Sequence, residues 1–188
     1  MVTPRPFRLA RRLAADRRGL SAVEFSLLLP LMLLIYAGSV EISEVLTVDR
    51  KVNQLASTVG DLVAQKGTMD ATEMNNIFAA GTAVMTPYPA AGVRIVVAAV
   101  DIVSDTTQTV SWGRALNDAA PGSGSPSPVP IPAAVADVGS QVVVSRVQYD
   151  FTSPFSDFMS NVTGRDSYTF EHVFIMRPRL GEEITWEN

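Results

Sequence analysis

Arg17–Arg18–Gly19–Leu20–Ser21–Ala22–Val23–Glu24–Phe25 opens an apolar run that continues from Ser26 to Val40. Between Leu20 and Val40 the one formal charge is Glu24. A helix crosses a bilayer with about 20 apolar residues at roughly 1.5 Å rise each, and this stretch has that length. The carboxylate four residues inside it is the anomaly. A charge at the bilayer centre costs about 2.5–3.5 kcal/mol or more, so an ionisable residue in a membrane segment is by default a functional candidate. The alternative puts Glu24 at headgroup level, where its side chain reaches water cheaply.

Charge is distributed unevenly around this run. Residues 1–19 carry six arginines (5, 8, 11, 12, 17 and 18) against Asp16, a balance of +5, which leaves −9 on residues 20–188 from the total of −4. Positive residues stay on the cytoplasmic side of a membrane segment, so residues 1–19 are expected inside and the rest outside. An acidic exterior speaks against a nucleic-acid partner, because phosphates are held by Lys/Arg clusters. Hydrophobic residues make up 47% of the chain and charged ones 18%, a balance that excludes a disordered polymer. The absence of cysteine excludes a disulfide framework and a thiolate metal site.

A basic stretch followed by an apolar one is also how a secretory signal peptide begins, and Ala37–Gly38–Ser39 offers small residues for cleavage. The run is long for that purpose, and a carboxylate near its start is unfavourable there. Pro30 interrupts the run, which a membrane helix tolerates as a kink. Beyond it, Val45, Val48, Val52, Leu55, Val59 and Leu62 recur at spacings of 3 and 4, a helical stripe that Ile42, Ala56 and Val63 widen. The membrane helix is therefore expected to continue as an amphipathic one to Lys66, with Gly67 as its C-cap and Lys66 facing the negative dipole end. A coiled-coil seam is the alternative use of the stripe. With fewer than four heptads, packing on the chain's own domain is the better reading.

Asp70–Ala71–Thr72–Glu73 has the form of a capping box, with Met69 and Met74 as a hydrophobic staple, and starts a helix to about Ala80. Thr86–Pro87–Tyr88–Pro89 then breaks the pattern. Residues 93–103 form a β-branched run expected as a buried strand, and 107–112 alternate with Val110 and Trp112 on one face. Residues 121–132 hold five of the twelve prolines among Gly and Ser, the core of a loop over 120–132. Residues 142–151 alternate with Val147, Tyr149 and Phe151 inward, and 168–177 place Tyr168, Phe170, Phe174 and Met176 together. One long N-terminal helix followed by four strands predicts an α+β arrangement, the helix packed on a small antiparallel sheet of about four strands.

Signals for catalysis are poor. His172 is the single histidine, at the apolar parity of its strand, without partners for a triad. No GxSxG, HExxH or phosphate loop occurs, and Gly122–Ser123–Gly124–Ser125 has no helix pattern after it. Glu182–Glu183 read as solvated surface. Asn161–Val162–Thr163 fits a glycosylation sequon. No catalytic, cofactor or metal residue is assigned.

The Arg-Arg-Gly-Leu-Ser-Ala-Val-Glu-Phe motif at 17–25, with the leucine-rich helix through Pro30, resembles the TadE family of pseudopilins, minor pilin-like components of the tight-adherence (Flp, type IVc) pilus system. Residues 147–155 resemble that family's late strand and its Pro-containing exit. The resemblance implies a pilin-like fold and cleavage by a prepilin peptidase between Gly19 and Leu20, with Glu24 and Phe25 as assembly contacts. Leu20 departs from the small residue common after the cut. It further implies a cytoplasmic leader over 1–19, a transmembrane and then amphipathic helix over 20–66, and a periplasmic headpiece over 67–188. The partners implied are the peptidase, other pilin-like subunits, the inner-membrane pilus platform and membrane lipid, with no nucleic acid and no cofactor. A freed α-amine pairing with a carboxylate of the same or a neighbouring helix would offset the cost of burying both charges. Two rivals remain: a membrane-anchored periplasmic hydrolase, and a binding module released by cleavage after Ser39.

Overall fold

The computed structural model describes residues 18–104, 106–156, 160, 164 and 166–187, with backbone alone at 18–20. The leader and the sequon at 161–163 lie outside the described residues. Helix α1 runs from Arg18 to Ala64, passing through Pro30. It is followed by β1 (Thr68–Met69), α2 (Ala71–Ala83), β2 (Val93–Ser104), β3 (Thr107–Leu116), β4 (Gln141–Phe151), β5 (Tyr168–Met176) and β6 (Thr185–Trp186). The chain divides into two compact units between Ser43 and Glu44.

The first unit, in its described part, is the apolar portion of α1. Leu27, Leu28, Leu31, Met32, Leu33 and Ile35 are all more than half exposed. They point in every direction around the helix axis, and a helix apolar all round has no aqueous face.

The second unit is an α+β body. β2 to β5 form one antiparallel sheet in the order β3-β2-β4-β5. The amphipathic half of α1 packs on it. Val48, Val52, Leu55, Ala56, Val59 and Val63 are fully buried, in one cluster with Ile95, Val97 and Ala99 of β2 and with Val143, Val147, Tyr149 and Phe151 of β4. Helix and sheet run close together at Gly60, where an added Cβ would stand 3.4 Å from the Ser145 Cβ and 3.6 Å from the Met176 Sδ. α2 lies against α1 through Met74, Ile77, Phe78 and Gly81, the i, i+3, i+4, i+7 face. The opposite face of the sheet is covered as well. Val129 and Ile131, from the connection between β3 and β4, bury Ala98, Val100, Ile102, Val142 and Val144. Cover on both faces explains why β2 reads as an apolar run with few polar interruptions.

Five local expectations are corrected. Ile42 does not widen the stripe; it is 62% exposed. Val110 and Trp112 do not share a face. Ala99 pairs with Trp112 but Val100 pairs with Val110, so the ladder shifts by one residue at Ser111. This bulge reverses the parity, sending Val110 to the outer cluster and Trp112 to the helix-side core. Gly67 is not a left-handed cap, having no positive φ. Instead the Arg179 N–H donates to the Ala64 carbonyl at 2.7 Å, and Lys66 forms an ion pair with Glu73. That pairing also takes Glu73 out of the reciprocal half of the capping box. Asp70 still caps α2, accepting from the Glu73 N–H at 2.7 Å, and the helix runs to Ala83 rather than Ala80.

The stretch after β5 is tied back into the body. β6 pairs in parallel with β1, and the Trp112 Nε1–H donates to the Ile184 carbonyl at 2.7 Å. The Arg114 guanidinium stacks 3.7 Å from the Trp186 ring centroid.

Candidate functional site at the N-terminal helix

The residues singled out by sequence sit in the first turns of α1. Arg18, Gly19 and Leu20 are helical. Glu24 and Phe25 follow one turn later, both exposed, Phe25 at 59%. At helical spacing Glu24 shares a face with Leu28, Leu31 and Ile35, so its carboxylate heads an otherwise apolar stripe. Among the described side chains none hydrogen-bonds or ion-pairs with it. A carboxylate so placed would gain from a cationic group brought in by another helix, because pairing offsets desolvation. Ser39 shows how the run handles its other polar groups: the hydroxyl donates to its own helix, to the Tyr36 carbonyl at 2.7 Å.

His172 lies elsewhere. Its Nε2 is 2.8 Å from Asp49 Oδ1 of α1, both side chains partly exposed, which ties edge strand β5 to the helix. Among the described residues no hydroxyl hydrogen-bonds the ring, and the contact is one link between strand and helix. Sequence reasoning did not single out Asp49. A lone histidine at apolar parity, opposite a helix whose stripe is flanked by acids, was the available signal.

Lys51 was likewise not singled out. Its Nζ donates to the carbonyls of Val84 at 2.9 Å and Thr86 at 2.8 Å, closing the end of α2 from the side of α1. Beside it, Tyr88 packs edge-on against Phe151, ring centroids 5.7 Å apart. Burial, and secondarily the Glu44 charge, pushes the Tyr88 hydroxyl above its ordinary pKa. Burial, then the neighbouring Tyr88, does the same to Tyr149.

A hydrolase would need polar side chains converging in a pocket. Two surface depressions, about 310 and 320 Å³, flank residues 138–140. Arg177, Glu182 and Gln141 line one, Asp101 and Glu183 the other, and His172 lines neither. Among the described residues, no three His, Asp or Glu side chains gather as a metal would require.

The comparisons with known proteins bear on α1. The family model of TadE-like proteins matches residues 19–61, the apolar run and most of the buried stripe. No curated protein and no solved structure matches the chain. α1 is also the one helix among the described residues long and apolar enough to cross a membrane. Together the match and the helix fit a Tad-pilus-associated, single-pass membrane protein of a structural family.

Proposed function

We propose, with the TadE-like helix as premise, that this protein is a pseudopilin-like inner-membrane component of Tad/Flp pilus assembly. Residues 1–19 form its cytoplasmic leader, residues 20–66 its transmembrane and amphipathic helix, and residues 67–188 its periplasmic headpiece. A prepilin peptidase matures it between Gly19 and Leu20. The processed subunit joins the pilus machinery or filament as a minor member, in contact with other pilin-like subunits and the inner-membrane platform. Its role is assembly and surface adhesion rather than catalysis.

The observation that carries this reading is the Arg-Arg-Gly junction directly before an apolar helical run, residues 20–40, whose one carboxylate is Glu24. Arginines before the run hold the N-terminus inside. Gly19 presents no side chain to a peptidase, and cleavage there creates an α-amine. That cation and a Glu24 carboxylate, from the same helix or a neighbour, neutralise each other where neither is cheaply buried alone. Phe25 adds apolar contact area beside the pair.

The intact mass of the mature protein from its own host tests the reading. A chain beginning at Leu20 is expected, and replacement of Gly19 by a bulky residue should leave the leader attached. A mature chain that keeps Arg17 and Arg18 removes the main support, and one beginning at Val40 establishes the secreted binding module instead.

A further inference from the structure

We propose that the outer edge of β5 receives a strand from another protein. The occupant is an extended segment, apolar at alternate positions and cationic where it passes Glu171. The site lies wholly in the second unit and does not depend on α1 crossing a membrane.

The two edges of the sheet are treated differently. β3 and β5 are its outer strands. The free side of β3 is served by the connection that follows it. There the Val110 N–H donates to the Ser125 carbonyl at 2.8 Å, the Gly124 N–H to the Val110 carbonyl at 2.8 Å, and the Ser127 N–H to the Gln108 carbonyl at 3.2 Å. Pro126 stands opposite Thr109 in the same arrangement. Sheet edges are commonly protected by such a cover, or by proline, lysine or a bulge. β5 has none of these devices. It contains no proline and no lysine, and its pairing with β4 runs without a register shift from Tyr168 to Met176. Among the described residues no backbone group bonds along its other side. A regular row of N–H and C=O groups is matched by the backbone of an added strand.

Side chains define what that strand carries. On the face toward α1, Tyr168, Phe170 and Met176 pack against the helix-side core but are only partly buried. Their remaining surface favours apolar side chains on the neighbouring strand. On the opposite face, Thr169, Glu171 and Val173 are exposed. Glu171 accepts a hydrogen bond from the Gln148 Nε2, and no cation among the described residues pairs with it. The arginines that share its face by register are committed, Arg94 to Asp150 at 3.0 Å and Arg146 to Asp118 at 3.3 Å. Opposite charges directly across a strand pair attract and like charges repel, so a lysine or arginine belongs opposite Glu171. The template is also held in place beforehand. His172 is tied to Asp49 of α1, so this side of the pairing is ordered before a partner arrives.

The probe is a synthetic peptide as long as β5, alternating valine and threonine around a central lysine, with a fully N-methylated copy as control. Hydrogen exchange of detergent-solubilised full-length protein is read residue by residue, and affinity by fluorescence anisotropy. In the free protein alternate amides of β5 should exchange several-fold faster than the Val110 amide, which Ser125 holds. The peptide should slow them several-fold and the methylated copy should not. Glu171→Lys should weaken binding several-fold, and glutamate in place of the peptide's lysine should restore it. β5 amides as slow as that of Val110 without peptide would show an edge already covered and overturn the site. Fast amides that the peptide leaves unchanged overturn it as well. Equal affinity of Glu171→Lys and the unsubstituted protein for the lysine peptide overturns the cationic character. A concentration-dependent dimer by sedimentation, with the same amides slowed, gives the edge to a second copy and overturns the partner class.

Discussion

Residues 21–43 and 44–64 belong to one α-helix, yet they solve opposite problems. In the first stretch Leu27 is 75% exposed and Ile35 62%, whereas in the second Val48, Val52, Leu55 and Val59 are at 0%. Backbone conformation is shared, so only side-chain pattern separates them. An all-round apolar surface awaits an apolar solvent, while a stripe of period 3.6 with polar flanks awaits one packed face. The lesson is that helix content says nothing of what a helix is for; the angular spread of its apolar residues does.

That contrast breaks most visibly at Leu55. Leu55→Asp would bury an unpaired charge in the helix–sheet core at a cost of several kcal/mol, enough to unfold a soluble fragment starting at Glu44. Its thermal melt and that of the unsubstituted fragment should differ grossly; equal melting temperatures would show the stripe faces elsewhere. Glu24→Ala is the counterpart in the apolar half. Topology depends on arginines and lysines, so this variant should insert with the same orientation and be cut normally, yet fail to assemble pili. Piliation at the unsubstituted level, counted by microscopy, would make Glu24 an interfacial bystander.

Two glycines sharpen the comparison at smaller scale. A Cβ at Gly81 would stand 2.7 Å from Val59 Cγ2 and 2.9 Å from Leu55 Cδ1, whereas one at Gly38 meets nothing within 4 Å. Gly81→Ala should therefore destabilise the headpiece by about 1–3 kcal/mol through overpacking. Gly38→Ala should leave its melt unchanged and raise helix propensity by up to about 1 kcal/mol. Denaturant titrations of the two variants should separate them; a Gly81→Ala midpoint equal to the parent's would mean α2 yields to the methyl group.

The smallest effect concerns alkaline pH. Tyr88 and Tyr149 have raised pKa values in the folded state, so above about pH 10 the unfolded chain loses protons that the native one retains. Stability contributed by the neutral hydroxyls is intact below that pH and falls as pH rises beyond it. In Tyr88→Phe and Tyr149→Phe the alkaline decline of the melting temperature should be shallower. An identical slope in all three proteins would locate the alkaline transition in other groups.

Much of this fold was legible because it rests on periodicity. The stripe from Val45 to Leu62, the α+β order, the inward set of β4 and the Asp70 cap are local patterns, and each appears where spacing put it. What escaped reading depends on partners distant in sequence. The bulge at Ser111 is a property of pairing with β2, so alternation alone placed Val110 beside Trp112. Gly67 looked like a cap because glycine favours left-handed backbone, but Arg179, far along the chain, supplies the N–H that closes α1. Residues 129 and 131 were read only as loop, though Val129 and Ile131 are 7% exposed over the outer sheet face. At the candidate site the motif around Gly19 and Glu24 was visible in the residues themselves. Lys51 and Asp49 acquire meaning only from what stands opposite them.

The return of β6 to β1 also sets a timetable. Thr68 pairs with Thr185, and the Glu187 N–H donates to the Met69 carbonyl at 2.8 Å. The strand that begins just after α1 thus waits for residues made more than a hundred positions later, and closing so long a loop is slow. Until then the end of α1 and the indole of Trp112 lack their partners. A nascent headpiece is therefore an incomplete, sticky object through almost its whole synthesis, and a stall shortly before Ile184 would hold it at its most vulnerable.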